Sequence, residues 1–297
     1  MNPGPECPAT TSSSNLPRPQ RGAFFSRALV LGCGDVGSTV AVRLHESGMR
    51  VLVCDEPRPA WHRRGMSLVN AMYCGEATLD GILARRFNQC PAAANSAVLE
   101  DFIAIVDTPI HEALRRWRPD VLIDARMRKY DEPEEIRGEA AVTIGLGPGF
   151  EAGLHADLVI ETAWGYKLGE PVWSGRALPA TGEPRRVNGH GRKRYVYAPA
   201  AGRWATWREI GEFVSEGEVI GVVDGRELDA PLSGILRGIS ANGADVCERT
   251  KIAEIDTSCD VVRAFGVGRR PERIAQGVLH ALAIADYPLH CDARPER

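Results

Sequence analysis

The clearest chemical signal in the sequence is a run of three glycines followed at a distance by an acid. Gly32, Gly34 and Gly37 have the spacing G-x-G-x-x-G. The first would allow a tight turn, the second the close approach of a pyrophosphate, and the third close packing of a helix on a strand. Asp55 follows about 20 residues later, where a carboxylate that binds ribose is expected. This arrangement predicts a nucleotide-binding loop.

The elements that would position this loop are a strand, a helix and a second strand. Ala28–Leu31 and Val51–Cys54 are apolar runs typical of strands that are buried on both faces. Between them, apolar side chains recur at helical spacing up to Gly48, which suits a C-terminal cap. The helix N-terminus would offer N–H groups to a phosphate, and Asp35 there is a further candidate binding residue. A glycine-rich turn whose nucleotide site is empty or repurposed is the alternative.

The cysteines indicate neither a zinc knuckle nor a disulfide framework. The chain has eight of them, spread out and without a C-x-x-C pair. Cys33 lies inside the glycine loop, beside a helix N-terminus that is expected to lower the pKa of its thiol. A buried, inert thiol is the favoured interpretation even there.

Charged residues follow the predicted strands on the side where open α/β sheets bind ligands. Arg58, Arg63 and Arg64 cluster after the second strand, and Arg63 and Arg64 are candidates to hold a phosphate or another anion; a solvated loop is an equal alternative. Asp124, Arg126 and Lys129 come after a later strand and are also candidate binding residues. Internal salt bridging is the alternative for that trio.

A second glycine-rich stretch, AVTIGLGPGF, runs from Ala141 to Phe150. Gly145, Gly147 and Gly149 indicate an unusual backbone path, which is often needed where the chain approaches a ligand closely. We therefore count these three glycines among the candidate cofactor-binding residues. No metal site and no catalytic residue is predicted.

Length and composition limit the function classes. At 297 residues the chain is long enough for two domains. The formal charge of −3 and the pI of about 6.2 predict no attraction to nucleic acid or membrane. The sequence contains neither a transmembrane span nor a signal-peptide pattern, so we expect a cytoplasmic protein. Residues 1–24 have the composition of a disordered tail.

From Tyr195 onward, short strands and regular turns replace the alternating strand and helix patterns. Two similar halves follow each other, APAAGRWATWREIGEFVSEGEVI and APLSGILRGISANGADVCERTKI, and predict two interlocked sheets of the same build. This segment resembles the biotinyl/lipoyl-like barrel-sandwich hybrid. In carrier members of that family a lysine at the tip of the central hairpin takes the prosthetic group. Here the tip reads Asp224-Gly225-Arg226, so we expect no covalent biotin or lipoyl group and a structural or docking role.

The predicted fold class is α/β, with a Rossmann-like parallel sheet, a β-rich barrel-sandwich module and a C-terminal helix. Alternating helix and strand patterns such as Ile110–Trp117 and Val121–Asp124 indicate the parallel sheet. We place the Rossmann-like domain at residues 25–193, the module at 194–257, and the helix and tail at 258–297. Within the last segment, Pro271–Tyr287 has helical spacing.

From about Ala28 to Asp286 the chain resembles the accessory proteins of selenium-dependent molybdenum hydroxylase systems. The stretches that carry this resemblance are GCGDVGS, RPAWHRRGMSLVNAMYCGE, RPDVLIDARMRK, IGLGPGFEAG, VIETAWGYKLG and the Ala-Pro repeats. Two positions depart from the family: Cys33 stands where its loop usually has glycine, and Tyr166 where it usually has histidine. The resemblance implies a part in assembling or loading the molybdenum cofactor of xanthine-dehydrogenase-type hydroxylases.

Three functions follow from these patterns. The leading one is a maturation factor that binds a nucleotide or a molybdopterin dinucleotide and docks a molybdenum hydroxylase client. The sequence leaves open whether the protein forms a homo-oligomer. The second is an NAD-dependent oxidoreductase, in which Asp55 would favour NAD over NADP, Arg58 argues the other way, and Lys129 and Tyr166 are candidate proton donors by position alone. The third is a scaffold with an empty nucleotide pocket.

Overall fold

The computed structural model describes residues 25–128 and 132–292. The predicted N-terminal tail and the candidate residue Lys129 lie outside these ranges. The first part of the chain contains strands β1 (Arg27–Leu31), β2 (Arg50–Cys54), β3 (Glu76–Leu79), β4 (Ile82–Arg86), β5 (Ile103–Val106), β6 (Val121–Asp124), β7 (Val142–Leu146), β8 (Glu151–Ala152), β9 (Leu158–Ile160), β10 (Pro171–Val172) and β11 (Gly175–Arg176). Its helices are α1 (Asp35–Glu46), α2 (Asn70–Cys74) and α3 (Ile110–Trp117).

Nine of the described strands form one large sheet in the order β10-β9-β7-β6-β1-β2-β5-β4-β3. Every neighbouring pair from β9 to β4 is parallel, and the edge strands β10 and β3 are antiparallel to their neighbours. The expected parallel sheet is therefore confirmed, and α3 has the predicted bounds. The β3–β4 hairpin was not predicted, because its strands are short and partly polar.

The central strands bury both faces, as their continuous apolar runs predict. In β1, Ala28 and Val30 pack toward α1 and the C-terminal helix, whereas Leu29 and Leu31 pack toward α3. Trp117 of α3 is fully buried on that second face, and its Nε1–H donates to the carbonyl oxygen of Ala28 at 3.0 Å. The sheet is thus the middle layer of a mixed α/β structure.

The second part of the chain is a C-terminal β unit, residues 195–256, with its own core around the fully buried Trp204. Its strands are β12 (Tyr195–Tyr197), β13 (Gly202–Ala205), β14 (Phe213–Val214), β15 (Val219–Val223), β16 (Arg226–Asp229), β17 (Gly234–Ile239), β18 (Asp245–Val246) and β19 (Lys251–Asp256). They form two four-stranded sheets, β12-β19-β17-β14 and β16-β15-β13-β18, in which every pair is antiparallel.

The two sheets of the β unit exchange strands between the two sequence repeats. In the first repeat β13 pairs with β15 and with β18; in the second, β17 pairs with β19 and with β14. The pairing scheme is therefore unchanged when the two halves are interchanged, which confirms the interlocked arrangement. The hairpin between β15 and β16 turns at Asp224 and Gly225, both with positive φ, as expected for a tight Asp-Gly turn.

After the β unit the chain returns to the large sheet as α4 (Arg269–Asp292). Ile274 and Val278 are buried against the same face as α1. A Cβ on Gly277 would lie 2.0 Å from the carbonyl oxygen of Gly169, so only glycine allows this close packing. The last helix therefore completes the layer over the sheet. Among the described residues, none of the helices combines the length and apolarity that a membrane span requires.

Candidate functional site

The glycine loop joins β1 to α1 at the carboxyl edge of the large sheet. Gly32 has a φ of 98°, which favours glycine, and its N–H donates to the carbonyl oxygen of Cys54 at 2.8 Å. A Cβ on Gly37 would lie 2.0 Å from the carbonyl oxygen of Gly32. The predicted tight turn and close helix packing are therefore confirmed.

The space beside Gly34, which caps the N-terminus of α1, is filled by the indole of Trp61. A Cβ on Gly34 would lie 2.6 Å from Cε2 of that ring, the carbon bonded to Nε1. The indole Nε1–H is buried and has no hydrogen-bond acceptor among the described residues. Burying an unsatisfied donor is costly, so this N–H is a ready partner for an acceptor at the start of α1.

Asp55 folds back onto the glycine loop. Its Oδ2 accepts from the Cys33 N–H at 2.6 Å, and its Oδ1 accepts from the Glu56 N–H at 2.8 Å. The carboxylate therefore stabilises the loop. Its predicted bond to ribose stays a prediction, since each carboxylate oxygen has a further lone pair.

The prediction of a lowered thiol pKa at Cys33 is wrong. The side chain is buried, and burial raises its pKa well above the usual value; the nearby Asp55 carboxylate raises it further. Desolvation and a like charge outweigh the helix N-terminus here. Cys33 is a buried thiol with a raised pKa, which agrees with the favoured interpretation.

Arg63 bridges the glycine loop and the β unit. Its Nη1–H donates to Oδ2 of Asp35, the first residue of α1, at 2.9 Å, and its Nε–H donates to Oε2 of Glu254 in β19 at 2.7 Å. Asp35 and Glu254 are both buried. The guanidinium therefore binds two carboxylates of the protein itself rather than lying open to an anion.

Glu254 is the centre of a buried charged cluster, and its exposed fraction is 0%. Besides Arg63, the guanidiniums of Arg194 and Arg237 donate to its Oε1, and Nε2 of His62 lies 3.4 Å from its Oε2. Burial alone would raise the pKa of this carboxyl, but Arg63, His62 and Arg194 outweigh it and hold the pKa well below its usual range. The buried His62 is kept neutral, because burial lowers its pKa to about 4 despite the neighbouring Glu254.

Arg64 also faces the β unit. Its Nε–H donates to the carbonyl oxygen of Ile239 at 2.8 Å, and its Nη2 lies 3.1 Å from Oε2 of Glu209. Both side chains therefore join the segment after β2 to the β unit, and anion binding by Arg63 and Arg64 stays a prediction. The sequence near Arg63 and Arg64 does not reveal their bonds to the β unit, because the acceptors Glu254 and Ile239 lie far along the chain.

At the end of β6, the internal salt bridge given as the alternative is what the structure contains. The Arg126 guanidinium donates to both oxygens of the buried Asp124 and also to Glu134. These bonds occupy both side chains at the carboxyl end of β6. The structure therefore gives no support for a binding role of Asp124 and Arg126, which stays a prediction.

The glycines of GLGPGF allow close packing by the protein's own side chains. A Cβ on Gly145 would lie 2.3 Å from the ring of Phe150, and one on Gly147 would lie 2.6 Å from Oγ1 of Thr162. Gly149 has a φ of 92°, and a Cβ there would lie 3.1 Å from Pro133. The unusual backbone path is confirmed, but internal packing rather than ligand contact accounts for it.

Comparison with known proteins gives one relative of unknown function. The chain is 33% identical over 265 residues to the uncharacterised protein YqeB of Escherichia coli strain K12. The match takes in 89% of this chain and 49% of the relative, so the chain spans about half the length of that protein. No protein-family model matches the chain, and no solved structure matches it.

Sequence reasoning missed the residues that surround the glycine loop in space. Trp61, His62 and Glu254 were not singled out, and neither were Arg194 and Arg237. The one local signal was the density of aromatic and basic residues in AWHRR after β2. What the arrangement offers chemically is a helix N-terminus whose capping glycine packs against an indole with an unsatisfied N–H. The carboxylate of Asp35 beside it is paired with Arg63, so the unsatisfied N–H and the helix N-terminus are the features that suit an anion such as a phosphate.

Proposed function

We propose that the protein binds a nucleotide-bearing ligand with a phosphate at the N-terminus of α1. The observation that carries this proposal is the buried Nε1–H of Trp61, which lacks an acceptor and belongs to the indole that packs against Gly34. The Val36 N–H already donates to Oδ1 of Asp35, so the other N–H groups of the first turn of α1 and this indole N–H would hold the phosphate. The partial positive charge of the helix N-terminus would favour it further.

The topology supports a Rossmann-like assignment of the large sheet. If β4, which lies outside β5, is left out, the parallel strands β5-β2-β1-β6-β7-β9, numbered along the chain, have the order 3-2-1-4-5-6 of dinucleotide-binding folds. The glycine loop follows the first strand of this series, and Asp55 follows the second. In such folds the pyrophosphate sits at the helix that follows the first strand.

We further propose that the β unit is a barrel-sandwich hybrid without a carrier function. The symmetric strand exchange supports this assignment, and the turn at Asp224-Gly225 offers no lysine for a prosthetic group. Arg63 and Arg64 attach the unit beside the glycine loop. Because the β unit lies beside the glycine loop, a client enzyme that docks on this unit would be close to the bound ligand.

The biological role we propose is handling of the molybdenum cofactor during maturation of a xanthine-dehydrogenase-type hydroxylase. The resemblance of GCGDVGS, IGLGPGFEAG and the Ala-Pro repeats to accessory proteins of such systems supports it. A molybdopterin dinucleotide would present its pyrophosphate to the donors described above. The protein's part would be to bind and orient this group.

The decisive experiment identifies the ligand that accompanies the protein. The full chain is purified, denatured and its released small molecules are identified by mass spectrometry. A pterin dinucleotide is the expected result. NAD would instead support the oxidoreductase, and release of no nucleotide would contradict the proposal.

A genetic test addresses the client. We expect Gly34→Asp to leave the client hydroxylase without its cofactor, because its side chain would displace the indole of Trp61 and bring a carboxylate to the N-terminus of α1. Circular dichroism and urea unfolding of the purified variant show whether it folds like the wild type. Gly191→Asp is the matched control, since a Cβ at Gly191 meets only ordinary contacts of 3.7 Å or longer. A fully active client from the Gly34→Asp background would count against the proposal.

A further inference from the structure

Two exposed aromatic side chains lie just beyond the carboxyl end of β9. Trp164 is 45% exposed and Tyr166 is 84% exposed. Each ring has a cation beside it: the Cζ of Arg185 lies 4.6 Å from the Trp164 ring centroid, and Nζ of Lys167 lies 5.7 Å from that of Tyr166. Exposed aromatic rings flanked by cations are typical of surfaces that bind planar, negatively charged molecules.

A buried carboxylate anchors the segments that present this surface. Glu161, 2% exposed, accepts from the Ala163 N–H with Oε1 and from the Leu178 N–H with Oε2, both at 2.7 Å. The backbone next to Trp164 is thereby joined to the backbone of Leu178, whose side chain is half exposed. The aromatic surface therefore rests on a fixed support, which lowers the entropic cost of binding.

The surface lies on the same edge of the sheet as the glycine loop. The strands β1, β6, β7 and β9 are consecutive and parallel, so their carboxyl ends share one edge. At about 4.8 Å per strand, β9 is roughly 14 Å from β1. A dinucleotide lies across this edge of an open sheet, with its two halves on either side of the strand at which the order reverses.

Arg270 connects the two places. At the start of α4 its Nε–H donates to the carbonyl oxygen of Thr162 at 2.8 Å, just before Trp164. Burial lowers the pKa of Arg270, whereas the carboxylates of Asp35 at the glycine loop and of Glu161 raise it. The hydrogen bond to Thr162 joins the first turn of α4 to the backbone that leads to the aromatic surface.

We propose that Trp164 and Tyr166 form a stacking platform for the second, planar heteroaromatic ring of the ligand whose phosphate is held at α1. This inference rests on the proposed function. Lys167 and Arg185 lie where they attract the negative charge of such a ligand. The chemical class is a dinucleotide with a fused or single heteroaromatic ring on its second half, such as a pterin, a flavin or a nicotinamide.

The test compares two probes that share the adenosine diphosphate group, FAD and ADP-ribose, of which only FAD carries a second ring system. Binding to the full chain is measured by calorimetry. We expect the wild type to bind FAD more tightly, and Trp164→Ala with Tyr166→Ala to weaken FAD binding about 5- to 100-fold while ADP-ribose binding is unchanged. A variant with Trp164→Phe and Tyr166→Ala keeps one aromatic ring and is expected to bind FAD more tightly than the double alanine variant.

Trp207→Ala is the matched control, because Trp207 is also an exposed tryptophan, 62% accessible, but lies in the β unit. It should bind both probes like the wild type. If the double variant keeps the full preference for FAD, or if the wild type shows no preference, the proposed stacking role of Trp164 and Tyr166 is wrong. The proposed phosphate site at α1 is not affected by that result. If the wild type binds neither probe at millimolar concentration, both proposals fail. Tighter, platform-dependent binding of a single-stranded oligothymidine would assign the surface to nucleic acid and overturn the inference.

Discussion

Arg63 and Glu254 join the two parts of the molecule: the Arg63 Nε–H donates to Oε2 of Glu254 at 2.7 Å, although 191 positions separate them. One residue of this pair follows β2 of the large sheet, and the other lies in β19 of the β unit. Because the same guanidinium also binds Asp35, the glycine loop and the β unit share one partly buried cation. Glu254 and Asp35 are thus joined through a single side chain.

Glu254→Gln is expected to lower the free energy of unfolding by about 3 kcal/mol, because it leaves three guanidiniums without their buried carboxylate. Urea denaturation followed by circular dichroism measures it. Glu227→Gln, at an exposed position of β16, is the control and should stay within about 0.5 kcal/mol of the wild type. Equal stabilities of the two variants would show that the cluster contributes little.

His62 should make the protein sensitive to mild acid. Its pKa is about 4 in the folded state and about 6.5 when unfolded, so the unfolded chain binds the extra proton between these values. The stability that the neutral imidazole contributes is therefore complete above pH 6.5 and is lost as the pH falls toward 4, by about 3 kcal/mol in all.

The comparison is between wild type and His62→Gln in urea denaturation at pH 7, 5.5 and 4.5. We expect a shallower pH dependence in the variant over this range. Glu254 has a lowered pKa, so its own contribution is lost only at lower pH, from about its unfolded pKa of 4.3 downward. Identical slopes for the two proteins above pH 4.5 would contradict the assignment to His62.

Gly37→Ala is expected to destabilise the protein by about 1–3 kcal/mol, because the new Cβ would overlap the carbonyl oxygen of Gly32 and push α1 from β1. Thermal and urea unfolding measure the change. Gly191→Ala is the matched control: its Cβ finds space and its φ is −96°. A Gly37→Ala variant as stable as this control would mean that the loop adjusts freely.

Trp61→Phe tests the indole N–H directly. Phenylalanine keeps an aromatic ring beside Gly34 but removes the donor, so ADP-ribose should bind about 10-fold more weakly, in line with a lost hydrogen bond to a charged group. Calorimetry of the full chain gives the affinities, with Trp207→Phe as control. Unchanged affinity in Trp61→Phe would remove the indole from the phosphate site.

Thiol labelling of the native protein tests the interpretation of the cysteines. Cys33, Cys54 and Cys90 are buried, and burial raises the pKa of Cys54 to about 12 and of Cys90 to about 11. Iodoacetamide should therefore modify the exposed Cys74, Cys247 and Cys259 first, as read from peptide masses. Rapid labelling of Cys33 in the folded protein would revive a chemical role for it.

Local sequence patterns were enough to predict the elements around the glycine loop. Continuous apolar runs predicted β1, β2 and β6, helical spacing predicted α1 and α3, and the repeat predicted the interlocked sheets of the β unit. These predictions succeed because periodicity reports which side chains must be buried, and glycines at fixed spacing report backbone paths that other residues cannot follow.

The partners of the charged residues, in contrast, depend on how distant parts of the chain pack together. Arg63 and Arg64 looked like ligands for an anion, yet their acceptors are Glu254 and Glu209, far along the chain. Nothing in the sequence singled out Trp61 as a candidate binding residue, because its proposed role depends on the packing of its indole against Gly34. Burial patterns in a sequence show that a group is inside but not what it meets there, since that depends on how distant segments pack together.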